Sequence, residues 1–158
     1  MAKKKKKAGD RTIATNRRAY HDYHVEEKFE TGIVLTGTEV KSLRASQMSF
    51  KDSYVTVEDG ELWLVHCHIE EYLQGNRFNH NPDRPRKLLV HKNEIDRLAR
   101  IIQQQGYTLI PLTFYFKGPW VKVEVGVCKG KKQHDQRQDI AKRDAKRQMD
   151  RAMKRDLQ

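Results

Sequence analysis

The chain has 158 residues, enough for one domain with extensions, and a formal net charge of +11 from 32 Lys/Arg against 21 Asp/Glu. That charge sits at the ends: residues 1–18 carry +7, residues 131–158 carry +5, and residues 19–130 carry −1. A near-neutral body between two basic arms points to a polyanion partner, while the sequence offers no long apolar run, no apolar stretch behind the N-terminal lysines and no bulky apolar face in either arm, which argues against a transmembrane helix, a signal peptide and an interfacial membrane helix.

Residues 1–12 read as a basic low-complexity arm, and structure is expected from Asn16 onward. Tyr20 to Leu35 reads as extended, with the run Ile33-Val34-Leu35 entering the core. Thr38 is placed to cap a short helix whose apolar edge is Val40 and Leu43. Phe50 to Val57 and Glu61 to Ile69 read as a hairpin around Asp59-Gly60, with Trp63, Val65, Cys67 and Ile69 facing inward. Gln74 to Arg86 is a loop by composition, and with Arg77, Arg84, Arg86 and Lys87 it forms the body's basic patch.

Leu88-Leu89-Val90 reads as a short strand. Asn93 is expected to cap a helix from Glu94 to Gln105, with Asp96 in the capping-box position and Gly106 as the stop. Tyr107 to Phe116 and Val121 to Cys128 form the last hairpin, alternating Ile110, Leu112, Phe114 and Phe116 against Val121, Val123, Val125 and Val127. Five to seven antiparallel strands with inward Val/Phe/Trp rows are buried economically by curling one sheet. The expected fold is therefore mainly β, a small OB-like barrel with two to three helices. A two-layer α+β sandwich is the alternative.

The tail has no Gly after Gly130, and its apolar residues Ala141, Ala145, Met149 and Ala152/Met153 recur close to a four-residue step. So thin a stripe cannot bury a core. The tail is expected to be disordered or loosely helical when free and helical against an acidic partner, or else to be a solvated surface helix. The division is a flexible arm at 1–15, a barrel at 16–130 and a basic tail at 131–158.

Chemistry-bearing patterns are sparse. Two cysteines, Cys67 and Cys128, lie in apolar runs and fit reduced, buried thiols in a cytoplasmic protein. The histidines lack the spacing of a zinc site. Glu26-Glu27 and Glu70-Glu71 are neighbours whose side chains point apart on a strand, and no phosphate-binding Gly loop or nucleophile elbow occurs. No metal, cofactor or catalysis is expected. RNA binding is favoured, because loop arginines fork onto phosphates or stack on unpaired bases; Tyr20, Tyr23, Tyr72 and the tail's His134 are candidate stacking residues.

Five segments taken together carry a resemblance: Gly-Thr-Glu-Val-Lys-Ser-Leu-Arg at 37–44, Lys-Asp-Ser-Tyr at 51–54, Gly-Asn-Arg-Phe-Asn-His at 75–80, Arg-Pro-Arg-Lys-Leu-Leu at 84–89 and Gly-Lys-Lys-Gln-His-Asp at 130–135. The chain resembles the small protein B family of bacterial SsrA-binding (tmRNA-binding) proteins from Asn16 onward. The resemblance implies an OB-like barrel that binds the tRNA-like domain of tmRNA in trans-translation. It implies delivery of alanyl-tmRNA, with elongation factor Tu, to the A site of a stalled 70S ribosome, by a monomer. The tail would enter the vacant mRNA channel past the decoding centre and become helical there.

The family's RNA-facing positions fall on Asn16, Glu30 and Lys122; Glu39, Lys41, Arg84, Arg86 and Lys87 are added by proximity. Its tail signature falls on Gly130, Lys131, Lys132, His134 and Asp135, with Arg137, Lys142, Arg143, Lys146 and Arg147 as further ribosome-facing residues. Gln136 stands where some relatives carry Lys, and Arg137 keeps the charge nearby. Two other classes compete: a general ribosome-associated RNA chaperone, and a nuclease using His66 or His68.

Overall fold

The computed structural model describes residues 10–131 and 133–156; at 76–78, 133–136 and 156 it describes the backbone alone. In chain order the elements are β1 (Arg11–Thr15), α1 (Arg17–Asp22), β2 (Tyr23–Ile33), α2 (Gly37–Arg44), β3 (Met48–Ser49), β4 (Tyr54–Glu58), β5 (Glu61–Val65), β6 (His68–Ile69), a 3₁₀ turn (Leu73–Phe78), β7 (Arg86–Leu89), α3 (Lys92–Ile102), β8 (Tyr107–Lys117), β9 (Trp120–Gly130) and α4 (Gln133–Asp156).

Six strands close a ring in the order β8-β4-β5-β7-β2-β9, because β9 pairs with both β2 and β8. Every neighbour is antiparallel. Closure removes sheet edges and excludes the two-layer sandwich. The seam between β4 and β8 is a single pair, Val55 with Leu109. Beyond it, the far half of β8 is covered by β1, in the register Arg11 with Phe116 to Thr15 with Thr113. Composition assigns Arg11–Thr15 to the basic arm, yet these residues form a wall strand around the buried Ile13.

The interior holds Leu62 and Leu64 from β5, Leu88 from β7, Val121, Val123, Val125 and Val127 from β9, and Leu109, Phe114 and Phe116 from β8. Helix α3 sends the fully buried Leu98 into the same core, a burial that contributes about 1.5–3 kcal/mol. A second cluster lies under α1: Ala19, Ile110, Leu112 and Cys128. A bulge between Pro111 and Thr113 lets β8 serve both clusters. Leu109 faces the interior and Ile110 and Leu112 face α1. One extra residue then returns Phe114 and Phe116 to the interior.

Several sequence expectations are corrected. Tyr20 to Asp22 is helical, because Asn16 caps α1 by accepting from the Ala19 amide at 3.2 Å. Thr36, rather than Thr38, caps α2, and Glu39 closes the capping box by accepting from the Thr36 amide at 2.9 Å. His91, rather than Asn93, precedes α3, which ends at Ile102. Strand β4 starts at Tyr54, since the Ser53 amide closes a turn on the Phe50 carbonyl at 2.9 Å.

On β5 the inward residues are Leu62 and Leu64, while Trp63 and Val65 are only half-buried. His66 then adopts a positive φ of 60°, which shifts the alternation by one and buries Cys67 and Ile69. Asp59 and Gly60 both take positive φ, as the tight Asp-Gly hairpin requires. Neither Trp joins an inward row: Trp120 is 69% exposed. The tail, expected to be disordered or loosely helical when free or else a solvated surface helix, is a 24-residue helix, Gln133–Asp156. Among the described residues no helix is long and apolar enough to cross a membrane.

Candidate RNA interface

Register assembles one outward face across four strands. Gly32 on β2 lies opposite Leu89 on β7 and opposite Lys122 on β9, and Lys122 lies opposite Tyr115 on β8. Directly opposed residues share a face. Alternation along each strand therefore adds Glu30 beside Gly32, Lys87 beside Leu89, and Trp120 and Glu124 beside Lys122. Having no side chain, Gly32 leaves a groove whose lining includes Glu30, Leu89, Val90, His91, Glu94 and Lys122.

One of the groove's two carboxylates, Glu30, is held in place. Glu30 accepts from the Tyr115 hydroxyl and from Lys117 Nζ at 3.3 Å. Partial burial pushes the carboxyl up, but the Tyr115 and Lys117 hydrogen bonds and the charges of Lys117 and Lys122 outweigh it and hold the group below its usual value. An ionised, oriented carboxylate can accept from base amino groups, a specifying rather than attracting contact. Lys87 pairs with Glu61 at 2.8 Å and Lys28 with Glu124 at 4.0 Å.

Glu39, Arg84 and Arg86 form a different object. Glu39 and Arg86 are both fully buried and paired. Arg86 Nη1 donates to the Cys67 carbonyl at 2.7 Å and Nη2 to the Pro82 carbonyl at 2.9 Å. Arg84 Nε donates to Glu39 at 3.2 Å, and its Nη2 reaches the Val34 carbonyl at 3.4 Å. These residues staple α2 to β7 and to the loop before it, so Glu39 and Arg86 present nothing to a phosphate. Lys41 is exposed, its Nζ 5.4 Å above the Tyr72 ring. Arg77 lies outside the residues whose side chains are described.

Asn16 is also spoken for. Its Nδ2 donates to the Pro111 carbonyl at 2.9 Å and its amide to the Leu112 carbonyl at 2.7 Å, in addition to the cap. Both thiols are buried. Loss of solvation pushes Cys67 up to about 12 and Cys128 to about 11, so they stay protonated at neutral pH. His68 sits 2.8 Å from Asp83, and among the described residues no three His, Cys, Asp or Glu side chains gather into a metal-binding group.

The tail leaves the barrel through a clasp. The Lys131 amide donates to the Asp22 carbonyl at 2.9 Å, and its Nζ donates to the Tyr20 carbonyl at 3.1 Å and pairs with Asp139. The Lys131 side chain is thus buried rather than offered outward. Arg137, Lys142, Arg143, Lys146 and Arg147 are exposed on α4, as are Ile140, Met149 and Met153. Lys132 and the side chains of His134 and Asp135 fall outside the described residues.

The family model described as SmpB protein matches residues 13–155. The chain belongs to the SmpB family. An SsrA-binding protein of Carboxydothermus hydrogenoformans is 54% identical over 92% of this chain and 97% of its own length. One from Desulfitobacterium hafniense is 57% identical over 90% and 92%, and one from Thermobifida fusca 51% identical over 98% and 99%. A solved structure, "tmRNA-SmpB: a journey to the center of the bacterial ribosome", contains a chain 48% identical to this one; the match covers 76% of this chain and 85% of that one, with a TM-score of 0.66.

The SmpB match runs from β1 through most of α4, so barrel and tail belong to one family unit. Sequence reasoning missed Gly32, Leu89 and Trp120 as members of the SmpB outer face. Leu89 lies in the apolar strand read at Leu88-Leu89-Val90, which does not say which way it faces; it is 50% exposed. Only the strand register, which has no local signal, sets it beside Lys122. Thr36-x-x-Glu39 was legible as a capping box, and would have warned that Glu39 faces its own helix.

Proposed function

We propose that this chain binds the tRNA-like domain of tmRNA through the outward face of β7, β2, β9 and β8, and serves trans-translation on stalled ribosomes. The observation that carries this reading is the groove floored by Gly32, with ionised Glu30, Lys122 and exposed Leu89 around it. The relatives named SsrA-binding proteins and the tmRNA-SmpB structure support it. Within it, Glu30 specifies, Lys122 and Lys87 contact the backbone, and Arg84 and Lys41 lie at the margin. Asn16, Glu39 and Arg86 act by holding α1, α2 and β7 in place.

The tail's role in this proposal is steric. Its 24 residues span about 36 Å as a helix, long enough to run along an mRNA channel left empty by a truncated message. Arg137, Lys142, Arg143, Lys146 and Arg147 would face ribosomal RNA, with Lys132, His134 and Asp135 nearer the decoding centre and Lys131 fixing the exit. Elongation factor Tu joins through alanyl-tmRNA, the protein acts as a cytoplasmic monomer, and no chemistry of its own is required.

The test is binding of the transcribed tRNA-like domain in competition with tRNA and ribosomal RNA fragments. Lys122→Ala should weaken binding and lower the salt slope by roughly 0.7–0.9 for one lost phosphate contact. Equal affinity for all three RNAs would instead favour the general RNA-chaperone reading.

A further inference from the structure

We propose that Trp120, at the tip of the β8–β9 hairpin, is a stacking platform for an unpaired base of the RNA bound by the Glu30–Lys122 face. The inference rests on the functional reading above and names a contact that reading does not contain.

Trp120, at 69%, is more exposed than Leu89 at 50% or Val34 at 46%, two other outward apolar residues on this side of the barrel. A single exposed apolar side chain is ordinary. This one is not isolated in register: it stands two residues before Lys122 on the same side of β9, and Lys122 lies across from Gly32, which lies across from Leu89. The ring thus extends the groove's row toward the hairpin end.

Its base is fixed. Trp120 pairs with Lys117, Gly118 turns at a φ of +60°, and the Gly118 amide donates to Asp10 Oδ1 at 3.0 Å. Pro119 restricts the remaining turn position. A ring on so short and braced a turn loses little freedom when a flat partner settles on it.

Charge says what that partner is. Two cations of this face are already paired: Lys117 with Glu30 at 3.3 Å and Lys28 with Glu124 at 4.0 Å. Phosphate attraction on this face is correspondingly reduced. The π-face of a base asks for no counter-charge, and stacking tolerates any base. Lys122 beside the ring can then take the adjoining phosphate.

The experiment uses the full-length chain and the transcribed tRNA-like domain of tmRNA. The sequence has two Trp, so Trp63→Phe makes Trp120 the sole indole reporter. RNA is expected to quench its emission with the midpoint found by filter binding. In the otherwise wild-type chain, Trp120→Ala should raise Kd about tenfold and Trp120→Phe much less, with an unchanged melting curve. Filter binding with unaltered emission, and a Kd for Trp120→Ala within about twofold of wild type, would overturn the inference and leave the RNA face standing. An emission change that follows protein concentration without RNA would mean self-association through Trp120, and would also overturn it. No binding by the wild-type chain would instead overturn the functional reading itself.

Discussion

Glu39 and Arg86, 47 residues apart in sequence, form an ion pair in which both side chains are fully excluded from solvent. The charges are tolerable there because their other hydrogen-bonding atoms are also matched, through Arg84, the Thr36 amide and the carbonyls of Cys67 and Pro82. Removing one partner leaves the other buried and uncompensated, at a cost of about 3–5 kcal/mol. Arg86→Ala should therefore lower the urea midpoint strongly. Its RNA affinity, measured on the folded fraction, should change far less than for Lys122→Ala.

The same pair has a pH signature. Burial alone would raise the Glu39 carboxyl, but hydrogen bonds from Arg84, the Thr36 amide and Arg86, with the Arg86 charge, lower it. A folded-state pKa below the unfolded one means that the ionised form favours folding. This contribution is complete above the ordinary glutamate pKa and is lost as pH falls through the lowered folded value. Urea unfolding from pH 7 down to pH 3 should show that loss in the wild type and a smaller one in Glu39→Gln, which starts from lower stability at neutral pH.

Gly126 offers a test of wall packing. A Cβ there would come 2.7 Å from Leu112 Cδ1 and 3.2 Å from Cys128 Sγ, on the side of β9 that faces α1. Leu112 is fully buried and has little room to yield. Gly126→Ala should destabilise by about 1–3 kcal/mol despite adding apolar surface, as read from thermal or chemical denaturation.

How far the sequence reading reached follows from where each signal lived. The β8–β9 hairpin was legible because Val121, Val123, Val125 and Val127 keep strict alternation, and Asp59-Gly60 announced its turn. What failed depends on single residues that shift a phase: His66 at positive φ, and the bulge after Pro111 that sends Ile110 and Leu112 to α1 rather than inward. The candidate site divided likewise. Glu30, Lys87 and Lys122 were named from sequence and share one face. Arg84 and Arg86 read as part of a basic patch and Glu39 as an RNA-facing residue near them, because charge counts carry no information on burial.

The groove floor gives a further prediction. A Cβ at Gly32 would lie 3.2 Å from Leu89 Cβ, so Gly32→Ala asks Leu89 to move slightly and raises the floor between Leu89 and Lys122. The half-exposed Leu89 can yield, so the stability cost should be about 1 kcal/mol or less. RNA affinity should fall several-fold, the reverse of the Gly126→Ala pattern. Unchanged binding by Gly32→Ala would move the interface off this groove.

The tail separates binding from rescue. A chain ending at Gly130 keeps all of β9 and both core clusters, so the barrel should melt as the full chain does, to within about 1 kcal/mol. It also keeps Glu30, Leu89, Trp120 and Lys122, so affinity for the tRNA-like domain should fall only by the unspecific share of five net positive charges. Beyond the Lys131–Asp139 clasp, the described side chains of α4 are exposed, Ile140, Met149 and Met153 among them, and a helix with so little tertiary support is marginal in water. Ala145→Pro should remove about 3 kcal/mol of helix stability, visible as a loss of helical circular dichroism, without weakening RNA binding. Both variants should fail to support tagging of a nascent chain on a message that lacks a stop codon. Full tagging by the truncated chain would reduce the tail to a solvated basic extension and remove the channel-filling step from the proposed function.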